Sequence, residues 1–159
     1  MRTRRAGLIR VLATGTFDLL HPGHLMYLEQ SKALGDELVV IVARDANVQH
    51  KPRPIIPQEQ RLLMVSALKM VERAVLGSER DMFQPIEELR PDVITLGYDQ
   101  HFDALLLQEE LATRGIGARV VRLEEHDPCP LCSSRKIVAK VLEDRLSPTP
   151  GSEGTRITP

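Results

Sequence analysis

The sequence predicts an α/β fold of the doubly wound kind, a parallel sheet with helices on both faces, in a single domain. Two observations predict it. Five short β-rich apolar runs alternate with helical patterns along the chain, and 159 residues suffice for one hydrophobic core but not comfortably for two. Parallel neighbours need crossover connections, nearly always right-handed, so strict alternation of strand and helix implies helices on both faces of the sheet.

Each element has its own warrant. "LIRVLA", Leu8–Ala13, is the first strand. A helix over His24–Leu34 turns Leu25, Leu28 and Ala33 to one side, and Gly35 stands where a glycine ends a helix. "ELVVIVA", Glu37–Ala43, is the second strand. The helix Glu59–Lys69 carries Leu62, Leu63, Val65 and Leu68 and follows Pro57, a residue suited to a helix start. "RAVLG", Arg73–Gly77, precedes a short helix, "PIEELR", from Pro85. "DVITLG", Asp92–Gly97, leads to a helix from Phe102 that ends near Gly115, and "ARVVRL", Ala118–Leu123, is the fifth strand. A last helix spans Ser134–Leu146. The domain therefore occupies residues 1–146, and the tail 147–159, rich in Pro, Gly, Ser and Thr, is expected to be disordered.

Composition excludes several classes of function. Hydrophobic residues make up 42% of the chain, yet no apolar run approaches the roughly 18 residues of a membrane span. The basic N-terminus has a short apolar segment, broken by Arg10, that runs on into a strand, unlike a secretion signal. A net charge of −1 creates no global field toward nucleic acid or anionic membranes, so any phosphate site must be local. Two cysteines, Cys129 and Cys132, are too few for a disulfide scaffold and fit a reducing cytoplasm.

In doubly wound sheets, ligands sit beyond the carboxyl ends of the strands, where strand order reverses. The first such end reads "TGTFDLLHPGHLMYL", Thr14–Leu28. Gly15 allows close approach of the backbone to a ligand, and Pro22 and Gly23 open the helix. The unpaired N–H groups of that helix start make an anion site, which His21 and His24 flank.

The segment "GTFDLLHPGH" resembles the signature of the nucleotidyltransferase superfamily, which includes cytidylyltransferases and pantetheine-phosphate adenylyltransferase. With "VARDANVQHKPRPIIPQEQRLLMVSAL", "VERAVLG", "ITLGYDQ" and "CPLCSSRKIV", the chain is similar to the archaeal-type FAD synthetases over most of Leu8–Leu146. The resemblance implies a Rossmann-like nucleotidyltransferase fold and transfer of the adenylyl group of ATP to FMN. It also implies pyrophosphate as product, Mg²⁺ or another divalent cation with the nucleotide, and a homodimer. Two alternatives stay open at this point: a cytidylyltransferase acting on CTP and a small phosphorylated alcohol, and a non-catalytic nucleotide sensor.

By the same resemblance His21 and His24 contact the nucleotide phosphates, together with Pro22 and Gly23, while Thr16 and Phe17 line the nucleotide pocket. Lys51 and Arg61 are candidates for the triphosphate or the transferred phosphate, with Arg53 a weaker one. Asp99, after the fourth strand, matches a nucleotide-contacting position, or else caps the next helix. Ser133 and Ser134 match hydroxyls that bind phosphate at a helix start, and simple capping would look the same. Asp18 is open between orienting a turn and holding a metal-bound water. His126 stands where the family carries an aromatic residue. His126, Cys129 and Cys132 are spaced as HxxCxxC, but a structural zinc wants four ligands, so no protein-held metal is expected. A reduced loop and a redox-sensitive pair remain the other readings. The scarce aromatics Phe17, Tyr98 and Phe102 are the flat partners available to a ring.

Overall fold

The computed structural model describes residues 7–49, 52–124 and 129–146. Five strands form one sheet: β1 (Arg10–Gly15), β2 (Glu37–Val42), β3 (Arg73–Leu76), β4 (Val93–Leu96) and β5 (Arg119–Arg122). Every pairing is parallel and the spatial order is β3-β2-β1-β4-β5. The chain steps outward from β1 to β3, then returns to the far side of β1 for β4. The reversal of strand order therefore falls between β1 and β4. The connections run through α1 (Pro22–Lys32), α2 (Gln58–Ser66), α3 (Gln84–Leu89) and α4 (Ala104–Thr113), and α5 (Ser134–Leu146) follows β5.

Alternation along the strands sorts the core into two layers. Leu12, Val39, Ile41, Ile94 and Leu96 pack with Phe83, Ile86, Leu89, Leu107 and Leu111 on the α3/α4 face. Val11, Ala13, Leu38, Val40 and Val42 pack with Leu28, Val65 and Val71 on the α1/α2 face. Central strands buried on both sides read as continuous apolar runs, which is why "LVVIV" is wholly buried in β2. Among the described residues no helix is long and apolar enough to cross a membrane. The tail 147–159 lies outside the described residues.

Several sequence expectations are corrected here. Helix α1 begins at Pro22, not His24, and its inward face is Gly23, Leu28 and Ser31, while Leu25 and Ala33 are exposed. Polar residues occupy that face because they have partners: the Ser31 hydroxyl is 2.8 Å from that of Thr95 and donates to the Tyr27 carbonyl at 2.8 Å. Gly35 does not close the helix in a left-handed conformation. A Cβ there would lie 2.7 Å from the Ile9 carbonyl oxygen, so close chain approach is what requires glycine. On α2, Val65 and Arg61 face inward and Leu63 is exposed.

Candidate active site

The carboxyl end of β1 is built around a glycine and a strained residue. Phe17 holds φ at 53° and is 2% exposed. Its ring lies over Gly15, where a Cβ would come within 2.8 Å of ring carbons. A positive φ at a bulky residue is costly and persists only where the surroundings impose it. The ring packs against His24, with the two centroids 5.3 Å apart. Phe17 is thus part of the core floor beneath the site and offers no open face for stacking, contrary to a pocket-lining ring. Tyr98 and Phe102, each 45% exposed beyond β4, are the accessible aromatics.

His21 occupies the N-cap position of α1, with its backbone extended, and its ring stacks on His24 at 3.8 Å between centroids. The first turn of α1 contains no acidic residue and carries Pro22, so no side chain of that turn offsets the positive end of the helix dipole. Gly23 permits the arrangement: a Cβ there would lie 3.1 Å from the His21 ring and 3.3 Å from the Cys132 carbonyl oxygen.

The start of α5 closes on the same loop. The Ser134 hydroxyl donates to the Leu19 carbonyl at 3.4 Å, and Ser133 accepts the Lys136 N–H at 3.2 Å. Ser133 therefore acts as a cap here, and both serines border the histidine loop. Cys129 and Cys132 are joined in a disulfide with their Cα atoms 5.3 Å apart, so neither sulfur is a thiolate ligand for zinc. His126 lies outside the described residues, as do His50 and Lys51.

Beyond β4, Asp99 is exposed, and Asp103 is the cap of α4, accepting Leu105 N–H at 2.8 Å and Leu106 N–H at 3.1 Å. Capping is thereby removed as a reason for Asp99. Gln100, which the sequence reading passed over, spans the reversal point: its amide donates to the Thr14 carbonyl at 2.9 Å and accepts the Gly97 N–H at 3.1 Å. Below it Tyr27 joins β1 to β4, donating to the Thr95 carbonyl at 3.1 Å. Burial holds its phenolic proton more firmly than usual, against the opposing influence of the Thr95 and Thr14 hydrogen bonds.

Arg61 departs most from its expected role. It is 1% exposed. Its Nε donates to the Ile56 carbonyl at 2.9 Å, Nη1 to the Thr16 carbonyl, and Nη2 to the Ala43 carbonyl at 2.8 Å and the Asp45 carboxylate at 2.5 Å. A guanidinium committed to three loops cannot also grip a substrate phosphate, so Arg61 shapes the site from behind. Asp18 works with it, accepting the Ile55 and Ile56 N–H groups at 3.1 and 2.9 Å. Its carboxylate orients a turn. The pair moors the proline-rich segment before α2 to the loop after β1. For Arg61 a signal of burial was in the sequence: it lies one helical turn before buried Val65 and so shares its inward stripe.

A helix start with paired imidazoles, at the switch point of a five-stranded parallel sheet, is the arrangement of an α/β protein of the nucleotidyltransferase type. The chain belongs to the cytidylyltransferase-like family, whose model matches residues 12–140. It is 66% identical over 141 residues to the FAD synthase of Methanothrix thermoacetophila, covering 89% of this chain and 99% of the relative. It is 63% identical over 136 residues to the FAD synthase of Methanosarcina acetivorans, covering 86% and 90% respectively. Among solved structures, a protein described as the lipopolysaccharide core biosynthesis protein from Thermoplasma volcanium GSS1 superposes with a TM-score of 0.74. That match has 51% identity and covers 76% of this chain and all of the other.

Proposed function

We propose that this protein is an FAD synthase that transfers the adenylyl group of ATP to FMN. An oxygen of the FMN phosphate attacks the α-phosphorus of ATP, the bond from that phosphorus to the bridging oxygen of pyrophosphate breaks, and FAD and pyrophosphate leave. The nucleophile is already ionised at neutral pH, so no general base is needed. The protein's work is to position two anions and stabilise the charge that spreads in the transition state. The observation that carries the reading is the stacked His21–His24 pair at the start of α1, whose first turn carries no acidic residue, in a chain so similar to proteins named FAD synthase.

In this reading the imidazoles of His21 and His24 and the backbone at the start of α1 hold the nucleotide phosphates. Asp99 and the start of α5 border the nucleoside, and Lys51 is assigned to the triphosphate on the family resemblance alone. A divalent cation arrives with the nucleotide. Asp18, a candidate for holding a metal-bound water, instead accepts the Ile55 and Ile56 N–H groups. The cation supplies charge neutralisation on the phosphates. A cytoplasmic homodimer is the setting we assign to the enzyme.

The test is a substrate panel: ATP or CTP with Mg²⁺, each offered FMN or glycerol 3-phosphate, with pyrophosphate and product followed. ATP with FMN should yield FAD. Preference for CTP with glycerol 3-phosphate would replace this reading with a cytidylyltransferase, and binding without turnover would replace it with a nucleotide sensor.

A further inference from the structure

Three of the four strand pairs end in the same way. Where β1 pairs with β2 the last register partners are Gly15 and Val42, and the next N–H, that of Ala43, donates to the Gly15 carbonyl at 2.9 Å. The pairs β2/β3 and β4/β5 close likewise: Gly77 N–H donates to the Val42 carbonyl at 2.9 Å, and Leu123 N–H to the Leu96 carbonyl at 2.8 Å. Such evenly spaced bonds continue along a parallel ladder until the strands part.

Between β1 and β4 the register stops at Ala13 and Thr95. One more rung would send the Gly97 N–H to the Thr14 carbonyl. The Gln100 side chain stands in that gap instead: Oε1 accepts the Gly97 N–H at 3.1 Å and Nε2 donates to the Thr14 carbonyl at 2.9 Å. A direct rung spans about 2.9 Å from nitrogen to oxygen, whereas the amide puts two hydrogen bonds and its own width into the same path. Both main-chain groups keep a partner, so the strands stand apart with neither of them orphaned.

This amide bridge is anchored on both sides. At the last rung the Tyr27 hydroxyl accepts the Thr14 N–H at 3.2 Å and donates to the Thr95 carbonyl at 3.1 Å. On the far side Arg122, at the end of β5, donates from Nη1 to the Gly97 carbonyl at 2.8 Å and the Gln100 carbonyl at 3.0 Å, and from Nη2 to the Phe102 carbonyl. The turn from Gly97 to Phe102 is thus fixed to β5 by its main chain and to β1 by one side-chain amide. It carries Tyr98 and Asp99, both exposed, while the histidine loop leaves the other side of the crevice after Gly15. The two halves of the proposed nucleotide site therefore face each other across a gap whose width one side chain sets.

We infer that Gln100 is a positioning residue that fixes the separation between the histidine loop and the Asp99 turn. A ligand that touches both, with its phosphates at the loop and its nucleoside at the turn, then meets a gap already set, and neither side has to adjust. Arg122 supports it by holding the turn from outside the crevice. This rests on the proposed adenylyl transfer from ATP and adds what keeps the two halves of the site in register.

Binding titrations of the wild type and Gln100→Ala test it, with three probes: a non-hydrolysable ATP analogue with Mg²⁺, adenosine, and inorganic tripolyphosphate with Mg²⁺. Melting curves establish that each protein is folded at the temperature used, and Arg122→Ala, which frees the same turn, reads the same quantity through a second variant. A ligand that spans two subsites gains from their fixed spacing, and its separate halves do not. Affinity for the ATP analogue should fall about tenfold in Gln100→Ala, while adenosine and tripolyphosphate each stay within about twofold of wild type. The KM for ATP in FAD formation should rise in parallel and the KM for FMN should not. Unchanged affinity for the ATP analogue overturns the inference, as does an equal loss for adenosine or for tripolyphosphate alone, since that makes Gln100 a support of one half only. Wild-type FAD formation leaves the proposed function standing in either case. A wild type that binds none of the three probes overturns that function and, with it, the inference.

Discussion

Arg61 gives the sharpest prediction, because the structure moves it from the substrate to the scaffold. Its side chain is fully buried and forms hydrogen bonds with the Ile56, Thr16 and Ala43 carbonyls and an ion pair with Asp45. Arg61→Ala leaves three carbonyls and a carboxylate without their donor and opens a cavity behind the loop after β1. The Asp45 carboxylate is 36% exposed and can be rehydrated, but the carbonyls left without a donor and the cavity together cost about 3–5 kcal/mol. For a domain of this size that lowers the melting temperature by about 10 °C or more. Arg61→Lys keeps the charge but cannot serve carbonyls on three loops at once, so it should melt between the two. Circular dichroism melts, paired with FAD formation measured well below both transitions, provide the assay. An Arg61→Ala protein that melts with the wild type yet loses turnover would refute the reasoning, since that is how a substrate-facing arginine behaves.

Further expectations follow from individual contacts. Gly15→Ala should lower both stability and turnover, because its Cβ displaces the Phe17 ring that supports His24; Gly35→Ala, which clashes with the Ile9 carbonyl instead, should lower stability while turnover per folded molecule is kept. His24→Ala should reduce turnover about 100-fold or more with little change in melting, the scale of losing one preorganised donor, and near-normal turnover would remove His24 from the chemistry. The Phe83 N–H, then Arg114, hold the Asp81 carboxyl below its ordinary range. Its contribution is therefore present above about pH 4 and lost as pH falls through the lowered folded value. Asp81→Asn should accordingly be less stable than wild type at neutral pH, and the gap should close in acid melts; a gap independent of pH would exclude this cause.

What could be read from the sequence was set by which signals are local. The five strands stood out because central parallel strands are uniformly apolar, as in β2, and need no knowledge of partners. The face of α1 did not: its inward Tyr27 and Ser31 are polar, and only Thr95, more than sixty residues away, makes them compatible with burial. The same distinction governs the site. His21, His24 and Gly15 belong to one contiguous motif whose geometry is local, so their grouping was legible. The tasks of Asp18 and Arg61 depend on contacts 37 to 45 residues away: the spacing of Arg61 from Val65 put it on the inward side of α2, but nothing local says which carbonyls it meets there. Phe17 was mistaken for a lining ring because no pattern announces a positive φ at a phenylalanine.

The central claim is that a triphosphate is gripped where α1 begins. A crystal structure with a non-hydrolysable ATP analogue and Mg²⁺ tests it most directly. It should show phosphate oxygens within hydrogen-bond reach of both the His21 and His24 rings and of the first backbone N–H groups of α1. Phosphates seated instead between Arg44 and Arg53, with the two rings untouched, would contradict it.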